Sequence, residues 1–202
     1  MSRPPLYSDG EIMDAARAVV LKRGARGATI GAITDQSGAP TGSIYHRFAS
    51  VDELLARTWM RAMRRVQEAL LSSEEQDPEA AAVAGALAVY DFCLRHREEA
   101  LLAASFRRSD FATDLSHETR SQLEGLNNRI NPFLAALARQ LGGPGQQDVA
   151  LLAVRDLPFG AALPHIRNGT RPPPERRKRL EAAVRAVVQA SARQAAAACQ
   201  RP

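Results

Sequence analysis

The sequence predicts an all-α protein, and three observations carry that expectation. Alanine and leucine dominate a hydrophobic fraction of 45%, while β-branched runs are scarce. Apolar residues recur at three- and four-residue steps along most of the chain. Helix-start and helix-stop signals separate those stretches. At 202 residues the chain is long enough for one domain or two small ones.

The elements follow in order. Ser8 and Glu11 form an S-x-x-E capping box, in which each side chain satisfies an amide of the other residue. Behind it, Ile12, Ala15, Ala16, Val19 and Val20 make one buried face, and Gly24 sits at the C-cap. Thr29 caps a second helix holding Ile30 and Ile33, which Gly38 closes. A short third helix runs through Ser43, Ile44, Tyr45 and Phe48. Ser50 and Glu53 repeat the capping box and open a long helix with a stripe of Leu55, Trp59, Ala62, Met63, Val66 and Leu70.

After the linker SSEEQD, Pro78 suits the first turn of a helix apolar over much of its circumference, hence buried. EEALLAASF is a shorter helix. The stretch from Ser116 to Gly143 reads as one long helix kinked at Pro132. The stretch from Gly145 to Gly169 is helical in pattern but interrupted by Pro158 and Pro164. A last helix starts near Pro174, for about nine in all. No internal repeat is present.

Composition excludes several classes. Cys93 and Cys199 lack ligand spacing and suggest a reducing compartment, with neither disulfide framework nor metal site. No signal-peptide pattern opens the chain, and no window approaches about 18 consecutive apolar residues. A cytoplasmic protein with no membrane partner is the expectation. His46, His96, His117 and His165 are scattered, and no glycine-rich phosphate loop occurs, so an enzyme is not expected and no cofactor is implied.

The net charge of +5 is unevenly placed. Residues 1–68 hold 10 basic and 7 acidic side chains, residues 69–166 hold 8 and 13, and residues 167–202 hold 9 and 2. The surplus therefore lies at the C-terminal end, and bulk charge does not single out the N-terminal region as a nucleic-acid reader. Local pattern has to carry that inference.

TIGAITDQSGAPTGSIYHRF, residues 29–48, supplies the pattern. A helix–turn–helix needs two short helices joined by a tight turn, often through glycine. Ile30 and Ile33 on one helix, with Ile44 and Phe48 on the other, give the apolar faces, and Gly38 gives the turn. What remains on the second helix is Thr41, Gly42, Ser43, Tyr45, His46 and Arg47. These side chains suit phosphates and base edges, and Gly42 permits close backbone approach.

The block from Ser8 to Leu55 resembles the N-terminal domain of the TetR family of bacterial transcriptional regulators. The resemblance rests on Thr29, Ile33, the Ser37-Gly38-Ala39 turn, Gly42, Ile44, Tyr45, Phe48, Ser50, Glu53 and Leu54. It implies a helix-turn-helix DNA-binding domain over residues 1–50 and a helical effector-binding and dimerisation domain over residues 51–202. Thr29 would meet a phosphate, Tyr45 and Arg47 would grip the backbone, and Thr41, Ser43 and His46 would reach bases. Pro40 stands where the family usually has a serine or threonine cap, leaving Thr41 or Ala39 to serve. Val51 stands where a phosphate-binding lysine is frequent, with Arg47, Arg26 or Arg3 to offset it.

The implied function is a ligand-responsive regulator, a repressor in the first instance, that binds double-stranded operator DNA as a homodimer and is released by a small-molecule effector. The dimer stripe is Leu180, Ala183, Val184, Val187, Val188 and Ser191, next to the segment DVALLAVRDLPFGAAL. The basic run Arg176–Arg179 would be a solvated helix start or meet the acidic region of the other subunit. Effector-chamber candidates are Trp59, Tyr90, Cys93, Phe106, Leu126, Asn127, Ile130, Phe133 and Phe159, aromatic walls with a few polar atoms. Arg129 and Asp156 join them if buried. The alternatives are a helical interaction or ligand-binding module whose head does not bind DNA, and an activator with the same fold.

Overall fold

A computed structural model describes residues 7–73, 75, 77–111 and 115–199. In chain order the helices are α1 (Asp9–Arg23), α2 (Ile30–Ser37), α3 (Thr41–Tyr45), α4 (Val51–Leu70), α5 (Pro78–Arg95), α6 (Arg97–Ala103), α7 (His117–Glu124), α8 (Asn131–Gln140), α9 (Gln147–Leu151), α10 (Leu157–Arg167) and α11 (Glu175–Cys199). No strand occurs among the described residues, so the chain is all-α. Arg3 lies outside the described residues. Packing divides the chain into two compact units, one made of residues up to Arg64 with Glu98–Leu126, the other of Arg65–Arg97 with the residues from Asn127 onward.

In the first unit, α1 begins as its sequence requires. Ser8 Oγ accepts the Glu11 amide at 3.2 Å, and the Glu11 carboxylate accepts the Ser8 amide at 2.7 Å. The Ser8 amide, then its hydroxyl, holds the Glu11 carboxyl below the usual carboxylate range. This cap therefore contributes above the unfolded pKa and is lost as pH falls through the lowered one. Ile12, Ala15, Ala16, Val19 and Val20 are buried. The Thr29 hydroxyl caps α2 by accepting from the Ala32 amide at 3.2 Å, and Gly38 ends the helix at φ 71°, a left-handed conformation that glycine adopts without penalty.

In the second unit, Asp77 caps α5 by accepting from the Ala80 amide at 2.8 Å, with Pro78 in the first turn. The helix is buried over most of its length, as its apolar circumference predicts. Gly85 is required there: a Cβ would lie 2.8 Å from Leu70 Cδ1 and 2.9 Å from the Leu70 carbonyl oxygen, so α5 crosses the end of α4 where only hydrogen fits.

Four local expectations are corrected. Residues 117–140 do not form one helix kinked at Pro132, because α7 ends at Glu124 in a tight turn and Pro132 sits in the first turn of a new helix, α8, where no amide is missed. Pro158 and Pro164 do not interrupt residues 147–167. A π turn over Leu152–Asp156 joins α9 to α10, and Pro158 occupies the first turn after it. Pro164 costs the Gly160 carbonyl its partner, but both residues are exposed and water can satisfy it. This 21-residue segment is long and apolar enough to cross a membrane, although the Arg155–Asp156 ion pair at 2.6 Å lies midway along it.

The third correction concerns α3, whose N-cap is Pro40 with no side-chain cap bond. Neither Thr41 nor Ala39 replaces it; the Pro40 carbonyl takes the Ser43 and Ile44 amides at 2.9 and 3.3 Å. The fourth concerns Glu53. Ser50 Oγ does accept the Glu53 amide at 3.0 Å, as a cap should. The Glu53 carboxylate, however, is buried against α7, accepting from the Ser116 hydroxyl at 3.1 Å and the Thr119 hydroxyl at 3.0 Å.

Candidate nucleic-acid interface and ligand chamber

Helices α2 and α3 form two arms about the Gly38 turn. Ala39 and Ile44 are fully buried, as are Ile33 and Phe48, so the apolar residues lock the pair together. That burial fixes what is left outside. Thr29, Thr41, Gly42, Tyr45 and His46 are exposed, and Ser43 is half-buried. Tyr45 is 52% exposed, which places its ring outside the core and leaves it available to a partner. Thr29 accepts from Ala32 with its oxygen and keeps its hydroxyl proton for an outside acceptor, at the N-terminus of an eight-residue helix.

Arg47 is placed differently from the other six. Its side chain is only 15% exposed, and Nη1 lies 3.4 Å from Asp9 Oδ1. The same carboxylate meets Arg57 Nη2 at 3.5 Å, and Arg57 stacks over the Phe48 ring at 4.9 Å. Asp9 thus holds two guanidinium groups beside the short helix. Arg26 is exposed on the turn after α1. Val51 opens α4 half-buried and supplies no charge.

The nine chamber candidates fall into the two units. In the first, Trp59 is buried, donates from Nε1 to the Ala103 carbonyl at 3.1 Å and packs on Phe111 at 5.4 Å. Half-buried Phe106 adds to that cluster at 5.1 Å, and Leu126 is buried. In the second, Cys93 is fully buried, and burial pushes its thiol up to about 12, making it inert packing at neutral pH. Ile130 is buried, and Phe133 and Phe159 are half-buried. Asn127 is exposed and accepts from the buried Gln67 at 3.1 Å. Tyr90 lines a cavity of about 680 Å³. Arg129 and Asp156 are exposed and paired with Glu68 and Arg155.

Two expectations about the C-terminal helix change. Leu180, Val184 and Val188 are buried in the chain's own second unit, where α11 packs on α5, so that stripe is core. Ala183, Val187 and Ser191 beside it are half-buried. In the basic run, Arg177 forms a two-pronged pair with Asp91 of the same chain at 3.0 and 3.2 Å, so its partner is internal. The arginines around that pair, Arg95, Arg97 and Arg171, were not legible as a group. They are separated by up to 76 residues in sequence.

Comparison with known proteins agrees with this fold. Residues 12–58 match the profile of the bacterial regulatory proteins, tetR family. Among solved structures, a TetR family transcription regulator from Marinobacter aquaeolei VT8 superposes with a TM-score of 0.69 at 14% identity, covering 89% of this chain and 94% of that one. A transcriptional regulator from Rhodococcus sp. RHA1 gives 0.67 at 21% identity over 93% and 97%. Mycobacterium smegmatis AmtR gives 0.60 at 21% over 92% and 88%. At such identities the likeness speaks for the fold. No curated protein matches the sequence.

Proposed function

We propose, from the match of residues 12–58 to the profile of the bacterial regulatory proteins, tetR family, that the chain is a regulator of that family, which binds operator DNA as a homodimer and is released by a small-molecule effector. The observation that carries the reading is the exposed ridge of Thr41, Gly42, Tyr45 and His46 on a helix whose other face is sealed by Ile44. That ridge is short, polar and preorganised, as insertion into a major groove demands. Residues 1–50 serve as the reading head and residues 51–202 as the effector and dimer domain. With Leu180, Val184 and Val188 used internally, the outward residues Leu152, Ala182 and Ala186 are left for a second copy. The α4 helix, unbroken from Val51 to Leu70, is the covalent rod along which a ligand would act. A coupling of about 1–3 kcal/mol weakens DNA binding roughly 5–150-fold.

The test is fluorescence anisotropy with duplexes from upstream of the protein's own gene at two salt concentrations, alongside sedimentation of the free protein. A sequence-selective complex with a steep salt slope is expected from a dimer. Tyr45→Ala should weaken all duplexes alike, whereas Thr41→Ala or Ser43→Ala should change preference among bases by about 1–3 kcal/mol. The reverse division would remove these role assignments. An interaction module would show no duplex selectivity at either salt concentration.

Arg47 reaches a phosphate in this reading only by exchanging Asp9 for it. Asp9→Asn should therefore raise affinity for all duplexes by about two- to fivefold, the worth of a half-exposed ion pair, without lowering the melting temperature appreciably. Unchanged or reduced affinity in a folded Asp9→Asn protein would assign Arg47 to scaffold alone.

A further inference from the structure

The cavity of about 680 Å³ beside Tyr90 has a composition that asks for a ligand. Four guanidinium groups line it, from Arg95, Arg97, Arg171 and Arg177, against the single carboxylate of Asp91. Arg177 engages that carboxylate with two nitrogens, so the remaining three arginines form no ion pair among the described residues. Two of the three are held in place by carbonyl groups: Arg97 Nη2 donates to Ile166 at 3.1 Å, and Arg95 Nε donates to Asp91 at 3.3 Å. Their other N–H groups stay available to an acceptor.

A second observation is independent of the charge. Tyr90 is buried as a residue but lines the cavity, and its hydroxyl has no hydrogen-bond partner among the described residues. Two more unpartnered polar atoms lie close by: Arg176 Nε, on a side chain near enough to act electrostatically on Tyr90, and His165 Nε2, on a ring whose Nδ1 lies 3.3 Å from Thr170 in the cavity wall. Leu94, Ile166 and Pro172 give the same cavity an apolar side.

We propose that this cavity binds a small organic anion, a carboxylate or a phosphate ester on an apolar body. The arginines hold the charged end, Tyr90 donates its hydroxyl to it, and the apolar body lies along Leu94, Ile166 and Pro172. Charge-assisted N–H bonds of this kind are the strong ones, and the fork of arginine suits carboxylate and phosphate alike. The site is a binding site in its own right. Its role as the effector site rests on the regulator reading above.

The experiment is calorimetric titration of the full chain with phenyl phosphate, benzoate and the neutral benzyl alcohol. Saturable binding of one or both anions, one per chain with a Kd of about 1 mM or tighter, is expected, with none for the alcohol. The double variant Arg95→Gln/Arg171→Gln should weaken the anion about tenfold or more, and Tyr90→Phe by a smaller factor. Both arginines are exposed, so the double variant should keep the wild-type melting curve, which is measured alongside. Saturable binding of neither anion, equal binding of the alcohol, or undiminished binding in the folded double variant overturns the proposal. Anion binding with the variant pattern above supports the site even if operator affinity does not respond. That last result would instead remove this anion class from the effector role.

Discussion

Phe48→Ala is expected to destabilise the first unit by about 3–5 kcal/mol and to abolish the operator binding proposed above. Phe48 is fully buried, and its amide closes the last turn around α3 by donating to the Ile44 carbonyl at 2.9 Å. Its ring also carries the Arg57 guanidinium. Truncation removes a fully buried ring just after α3, and α3 has no side-chain cap of its own to hold it. A loss of that size is a large part of the roughly 5–15 kcal/mol that keeps a domain folded. Denaturant unfolding followed by circular dichroism gives the number, and hydrogen exchange of residues 30–48 locates it. Tyr45→Ala, one turn away and exposed, should change stability by no more than about 0.5 kcal/mol. A loss under about 1 kcal/mol in Phe48→Ala would mean that α3 is held by something other than this packing.

The second large effect is Glu53→Ala, expected to cost about 2–4 kcal/mol. The carboxylate takes the Ser116 hydroxyl and the Thr119 hydroxyl on one oxygen, and the Ser116 amide on the other at 3.4 Å. Alanine leaves those donors facing a cavity, Thr119 among buried neighbours. Glu53→Gln keeps the oxygen that serves the two hydroxyls and turns an NH₂ toward the Ser116 amide, so it should cost less, about 1–2 kcal/mol. The ordering of Ala above Gln, read by chemical denaturation, is the diagnostic. Equal costs would point to lost charge at the α4 N-terminus as the cause in place of the unpaired donors.

What was legible in the sequence was local. The Ser8–Glu11 box, the Thr29 cap, Pro78 in the first turn of α5 and the Gly38 turn each depend on residues within four positions of one another, and each is found. The buried face of α1 follows from spacing alone. Errors began where a partner lay far along the chain. Glu53 reads as half of a capping box until α7 supplies Ser116 and Thr119, more than sixty residues on. Arg47 reads as a free cation until Asp9 is placed beside it. Leu180, Val184 and Val188 read as a surface stripe because a helical period cannot say whether its cover is α5 or another subunit. Pro158 and Pro164 read as breaks because a π turn has no residue signature of its own.

The brevity of α3 has one more consequence. Five residues without a side-chain cap cannot nucleate a helix in water, and the eight of α2 fall short as well. A synthetic peptide of residues 29–48 should therefore show a random-coil spectrum and no taste for any duplex. Whoever wishes to graft this pair of helices elsewhere must transplant the surrounding helices along with it.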